Sequence, residues 1–379
     1  MNITYLIGNG FDIGLGLNTR YSDFIPYLRG ELKSILSVSR PGVTEQDQKV
    51  AGWILKAIET NEKEFWSDAE IAFGGMPFSD LANQTDRTIA DAVKYTHDLF
   101  LGSMQRWLNK EGSRIPTNRF TVDSVQMQLL VSLFTGWIHG RGDNQVRDYI
   151  KNLEQGESKV DFVTFNYTKS LEKLLINLAG KSFRLQYLDH KFDVLSGEVC
   201  HVHGVCSAQG QARQLVFGID NDAQIADETA KKDGEVIARL LKNEYQGYMG
   251  AGELDRARQL IENADIVVLF GLSFGATDRY WWSFLADYLS YSNKKLVICP
   301  YITDRQKIIE AEDLIHYKFE MVAKVFGSLE SSRINLIRRG NMMSKILIPR
   351  PGMIETMNGM NECCDFLKLS WIGEQIGLR

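Results

Sequence analysis

Apolar residues along this chain fall into two kinds of run. Short, continuous, β-branched stretches stand at Ile3–Ile7, Val160–Phe165, Gln214–Phe217, Ile266–Phe270 and Leu296–Cys299, with Lys345–Ile348 as a further candidate. Runs of that length and make-up read as strands buried on both faces. Four of them lead into glycine, asparagine or proline and then a helical pattern. The longer stretches, Thr19–Leu36, Ala51–Glu70, Asp86–Asn109 and Asp123–Trp137, carry apolar residues at helical spacing. Strand, turn and helix in repetition predict an α/β fold with a mostly parallel, Rossmann-like sheet.

No strand pattern interrupts the chain between the first strand–helix unit and Val160. A structureless loop of that length does not belong in a compact domain. Residues 37–158 therefore read as a large helical insertion packed over the ligand edge of the sheet. The sheet domain is then assembled from residues 1–36 and 159–350. The Pro349-Arg350-Pro351-Gly352 breaker cluster opens a helical tail, 351–379, suited to a cover or a homo-oligomer contact.

Composition narrows the class. The chain has 379 residues, 44% hydrophobic and 24% charged, with 43 Lys+Arg against 48 Asp+Glu and a formal net charge of −5. This is ordinary globular make-up, and a mildly acidic surface is a poor wrapper of nucleic acid. The stretch Ala323–Arg350 sets Lys324, Arg333, Arg338, Arg339, Lys345 and Arg350 against Glu330 alone, and reads as a solvated face. No apolar run approaches the ~20 residues of a membrane helix, and no leader pattern opens the chain. Cys200, Cys206, Cys299, Cys363 and Cys364 form no disulfide framework and no C-x-x-C pair, which fits a reducing cytoplasm and no metal.

Candidate chemistry gathers where predicted strands end. Gly8-Asn9-Gly10-Phe11-Asp12-Ile13-Gly14 follows the first strand, and glycines there let a backbone approach closely. The dinucleotide fingerprint is not met, because Ile13 stands where glycine is required. Asn166 in Thr164-Phe165-Asn166-Tyr167-Thr168 stands beyond another strand end, able to hold a ribose hydroxyl or a water, or simply to cap a helix. In Cys200-His201-Val202-His203-Gly204 the two histidines share a side if the run is extended. Their spacing matches no closed zinc site, and His203 suits a general base. Gly271-Leu272-Ser273-Phe274-Gly275 matches the nucleophile-elbow pattern, yet only His316 follows it. Trp66 and Glu70 lie one turn apart on a predicted helix, either as a lid or as a buried tryptophan beside a solvated acid.

These blocks taken in order resemble the AbiH family of bacteriophage abortive-infection proteins. The likeness runs from Ile7–Asp12 through Gly16–Phe24, Trp66–Glu70, Thr164–Thr168 with Leu171-Glu172, His201–Gly204, Phe217-Gly218-Ile219-Asp220 and Gly271–Asp278. That family is in turn similar to sirtuin-like NAD-binding proteins, at Gly8, Gly10, Asn166, His203 with Gly204, and Gly271 with Ser273. The resemblance implies NAD bound across the carboxyl edge of the sheet. The four-cysteine module of protein-deacetylating sirtuins is absent, so NAD hydrolysis is implied in place of deacetylation, with a phage-derived trigger.

Cleaving the nicotinamide–ribose bond requires a held ribose, stabilised positive charge and a directed water. Asn166 and His203 are the expected catalytic pair. Gly8, Asn9, Gly10, Phe11, Asp12, Asp220, Gly271, Ser273 and Asp278 are the expected NAD contacts, with at least one aspartate serving as a cap instead. Two other readings stand beside this one: a non-catalytic sensor of NAD or ADP-ribose, and a serine hydrolase using Ser273.

Overall fold

A computed structural model describes residues 2–37, 42–115, 158–175, 182–187, 190–206, 215–249, 252–291, 294–299, 311–331, 334–335, 337 and 342–347. The expected helix Asp123–Trp137 and the tail 351–379 lie outside them. So do residues 116–157, the second part of the expected insertion.

Among the described residues the strands are β1 (Asn2–Ile7), β2 (Ser158–Thr164), β3 (Ser182–Tyr187), β4 (His190–His201), β5 (Ile266–Phe270), β6 (Lys295–Cys299) and β7 (Ile346–Leu347). They form one sheet in the order β3-β4-β2-β1-β5-β6-β7. All neighbours are parallel except the β3–β4 hairpin. Without that edge strand, the six parallel strands run third, second, first, fourth, fifth, sixth. This is the Rossmann order, and its switch point lies between β1 and β5. The expected α/β sheet is therefore present.

Both faces of the central strands are buried, as the continuous apolar runs require. Leu6, Val163, Val267, Leu269, Leu296 and Ile298 share one core with α11 (Gly252–Asn263), α12 (Arg279–Tyr288) and α13 (Ala311–Phe326). On the other face Tyr5 stacks on Phe162 with ring centroids 5.8 Å apart.

Short helix α1 (Gly10–Gly14) follows β1, and α2 (Tyr21–Leu36) comes next. Five more helices precede β2: α3 (Glu45–Thr60), α4 (Glu62–Ser67), α5 (Ala69–Gly74), α6 (Phe78–Thr85) and α7 (Ile89–Gly112). With α2 they build a second core around Phe24, Phe65, Phe73, Phe78 and Phe100. Thr44 and Thr88 start α3 and α7 by accepting from the backbone N–H three residues on, at 3.1 Å each. The remaining helices are α8 (Ser170–Leu175), α9 (Gly234–Leu240), α10 (Lys242–Met249) and α14 (Met342–Lys345). No helix among the described residues is long and apolar enough to cross a membrane.

Four expectations need correction. Leu215–Phe217 is not a strand; Leu215 and Phe217 join the helical core, a destination an apolar run of that length does not reveal. The helix expected over Ala51–Glu70 is broken at Asn61 and again at Asp68. There the Asp68 carboxylate accepts from the N–H groups of Glu70 and Ile71 at 3.1 Å and opens α5. Trp66 and Glu70 thus belong to different helices. The β3–β4 hairpin was not expected at all. Finally, Lys345 is buried and donates to the carbonyls of Leu289 and Tyr291, at 2.8 and 2.7 Å, so it is no part of a solvated face.

Candidate functional site

The parallel register brings the strand ends level. Ile7 pairs with Thr164 and Phe270, Thr164 with His201, and Phe270 with Cys299. An irregularity after Val160 adjusts β4, where the Asp161 carboxylate accepts from Glu198 N–H at 2.9 Å, and His201 ends opposite Thr164. Every candidate cluster therefore begins within a few residues of one edge.

At the switch point the β1 and β5 loops are fastened to each other. Gly8 N–H donates to Phe270 O, and Gly10 N–H to Gly271 O, both at 2.8 Å. A Cβ on Gly8 would lie 2.5 Å from Gly271 O, and one on Gly10 2.7 Å from Gly271 Cα. Gly271 itself has φ +65°, where L residues are strained. These glycines are thus required by loop-to-loop packing. Asn9 spends its amide on Thr19, donating to the carbonyl at 2.7 Å and accepting from the hydroxyl at 2.6 Å. Phe11 is buried edge-on to Phe270.

Asp12 and Asn166 meet beneath this crossing. The buried Asp12 carboxylate accepts from Thr168 Oγ1 at 2.6 Å and from Ser170 Oγ. Burial pushes its pKa up, and the hydroxyls, with Asn166 beside them, offset only part of that. Asn166 is 5% exposed, and neither its side-chain oxygen nor its nitrogen has a hydrogen-bond partner of good geometry. An orphaned buried amide is uncommon and costs on the order of 1–3 kcal/mol. Its backbone carbonyl is held by His201 Nδ1 at 3.0 Å, and His201 Nε2 reaches Glu172 at 2.6 Å.

His203 touches the same loop. Its ring meets Phe165 edge-on with centroids 5.3 Å apart and Tyr167 at 5.8 Å, so the two neighbours of Asn166 both touch it. His201 and His203 do not share partners as an extended run would require, because the chain turns at Val202–His203. His203 Nε2 stands 3.0 Å from Asp278 Oδ1. Assigning that contact to an Nε2–H donor puts the basic lone pair on Nδ1. Lys242 Nζ reaches the same oxygen at 3.0 Å and Glu70 Oε2 at 2.7 Å.

Burial alone would push the Asp278 carboxyl up. The Lys242 ammonium, followed by His203, outweighs burial and holds it far below the usual carboxylate range. Burial raises Glu70, with Lys242 opposing. Lys242 stays protonated, as Asp278 and Glu70 overcome its own desolvation. The seam between the two hydrophobic cores thus carries a buried ionic chain: Glu70, Lys242, Asp278, His203.

The remaining expected residues divide. The Asp220 carboxylate accepts from Tyr280 N–H at 2.9 Å at the start of α12, the capping role foreseen for one of the aspartates. Ser273 is exposed, and the positive φ of its turn, 57°, falls on Phe274. A nucleophile elbow places its strain at the serine. His316 is 79% exposed in its side chain and pairs with Glu320, so it gives Ser273 no base. Glu70 is buried, not solvated, and Lys242, buried beside it, carries no sequence motif. Among the described residues no three His, Cys, Asp or Glu side chains gather as a metal site.

A family model described as bacteriophage abortive infection AbiH matches residues 4–299. The chain belongs to the AbiH family. That span includes every residue of the site, from Gly8 to Asp278. By family, then, this is a bacteriophage abortive-infection protein. No curated protein matches the chain. The AbiH blocks that marked the sequence acquire structural roles: the glycine loop and Gly271 fasten the switch point, and Phe217–Asp220 anchors the starts of α10 and α12. Gly218 is needed there because a Cβ would sit 2.1 Å from Leu240 O.

Proposed function

We propose that this AbiH protein hydrolyses NAD at the nicotinamide–ribose bond, depleting the nucleotide during infection. The observation that carries the reading is the buried amide of Asn166, which has only the Asp12 carboxylate beside it and no hydrogen bond of good geometry, one residue from the rings that touch His203, at the carboxyl edge of a Rossmann-ordered sheet. Open α/β sheets bind their ligands at that edge. A ribose hydroxyl or a reacting water satisfies both halves of the amide. NAD supplies its own leaving group, since nicotinamide departs as a neutral ring.

The chain's residues have defined tasks in this reading. Asn166 holds the ribose or the water. His203, oriented through Nε2 by Asp278, accepts at Nδ1 the proton that the water loses as its oxygen bonds to the ribose C1′. The electrons of the C1′–N bond leave with nicotinamide, and ADP-ribose is the other product. The permanent charge of Asp278 stabilises the imidazolium formed. The phage-derived trigger and a homo-oligomeric state belong to this proposal.

The test is to incubate the purified protein with NAD, with and without infected-cell extract, and to assay nicotinamide. Release by the wild type, lowered on the order of 10²–10⁴-fold by His203→Ala and by Asn166→Ala, supports the reading. Absence of release under both conditions, with NAD or ADP-ribose still bound, turns the site into a sensor.

A further inference from the structure

Three charged residues of the seam come from separate elements. Glu70 belongs to α5 of the helical core, Lys242 is the first residue of α10, and Asp278 precedes α12. Lys242 is set in place by its backbone: its N–H donates to Ile219 O and Ile219 N–H to Leu240 O, both at 2.9 Å, around a parallel bridge between Ile219 and Leu241. Its ammonium is 6% exposed in the side chain, and with His203 Nε2 it shares a single oxygen of Asp278. Burying such charges stabilises a fold less than apolar side chains of the same volume would. Stability alone therefore gives no reason for the chain to end on a histidine.

We propose that Lys242 is a positioning residue for this site: anchored by Glu70, it fixes the Asp278 carboxylate that orients His203, and so carries the seating of the helical core to the imidazole. The inference rests on reading His203 as the base, but its test needs no turnover. The other groups facing the chain are Asp68, Tyr21 and Tyr167, with Cys206 behind Tyr167. Burial raises the pKa of each, so Tyr21, Tyr167 and Cys206 are neutral near pH 7. Lys242 is then the cation that offsets Asp278. Without it, the carboxylate acts on His203 uncompensated. With Glu70 neutralised, Lys242 opposes the histidine's protonation more strongly.

The experiment is an NMR pH titration of the His203 imidazole in the full-length protein, assigned by loss of its signal in His203→Gln. Lys242→Met is expected to raise the His203 midpoint by about one pH unit, and Glu70→Gln to lower it by a smaller amount. Lys242→Arg is expected to keep it near the wild-type value. Shifts of opposite sign are the signature, since a merely structural loss moves the melting temperature without that pattern. Unchanged midpoints, or shifts of the same sign, overturn the proposal. If Lys242→Met does not fold, Glu70→Gln, which keeps the side-chain shape, decides by its sign. Nicotinamide release measured in parallel separates the two claims: opposite shifts without NAD cleavage leave Lys242 in its role and remove the hydrolase reading, and cleavage with unchanged midpoints does the reverse.

Discussion

Asp12 and Asp278 are both buried acids at one sheet edge, and their surroundings send them in opposite directions. Asp12 is held by two hydroxyls and lies beside a neutral amide, and burial wins, raising its pKa. Asp278 is held by an ammonium and an imidazole, and the cations win, lowering it. Both are aspartates in the segments that follow neighbouring parallel strands, β1 and β5. What differs is whether the partner can carry a positive charge. Asp278 can therefore serve as a permanent anion behind His203, whereas Asp12 is suited to arranging hydrogen bonds around Asn166.

The largest expected contrast is in stability. Asp278→Asn leaves Lys242 and His203 without their shared anion and is expected to cost about 3–5 kcal/mol in denaturant unfolding. Asp12→Asn keeps an acceptor for Thr168 and Ser170 and removes a desolvated charge, so a cost within about 1 kcal/mol is expected. Equal costs would erase the distinction between the two acids.

The pH dependence of melting sharpens it further. A carboxyl with a lowered pKa contributes stability that is present above the ordinary value of 3.8 and lost as pH falls through the folded value. Asp278→Asn is expected to flatten the acid slope below pH 3.8. A carboxyl with a raised pKa takes its proton first in the folded state. Stability then grows as pH falls from the raised value toward 3.8, a gain that Asp12→Asn abolishes.

A third buried titrating group, away from the site, gives a control. His97 lies among Phe73, Phe217 and Tyr245, with Nε2 on Phe217 O at 2.8 Å, and burial lowers its pKa to about 4. Its neutral form is native. Stability is full above pH 6.5 and falls between 6.5 and 4 as the unfolded chain takes up the proton, by up to about 3 kcal/mol. His97→Gln is expected to remove that slope while leaving NAD turnover unchanged. Smallest of all, Ser273→Ala is expected to alter stability by less than about 0.5 kcal/mol, because the side chain is exposed. Loss of all activity in that variant would restore the serine-hydrolase reading.

The sheet was readable because its central strands are buried on both faces and so appear as unbroken apolar runs. The β3–β4 hairpin lies outside the expected strands although Phe183, Leu185 and Tyr187 alternate with Ser182, Arg184 and Gln186, the period of a strand. The residues around Asn166 and His203 were legible as turns after strands. Their partners were not. Lys242 stands in an ordinary polar helix start, and Asp68 looked like one more helical position until its capping bonds separated Trp66 from Glu70. Long-range pairing of charges across the seam leaves no periodic trace, since each member is isolated in its own segment.

The central claim is a division of labour: Asn166 holds the ribose or the water, and His203 backed by Asp278 takes the proton. Calorimetric titration of NAD into His203→Ala and Asn166→Ala tests it most directly. The account predicts that His203→Ala binds NAD within about threefold of wild type while its nicotinamide release falls on the order of 10²–10⁴-fold. It predicts that Asn166→Ala loses about tenfold in affinity, one hydrogen bond's worth. Affinity lost in His203→Ala and kept in Asn166→Ala would contradict it.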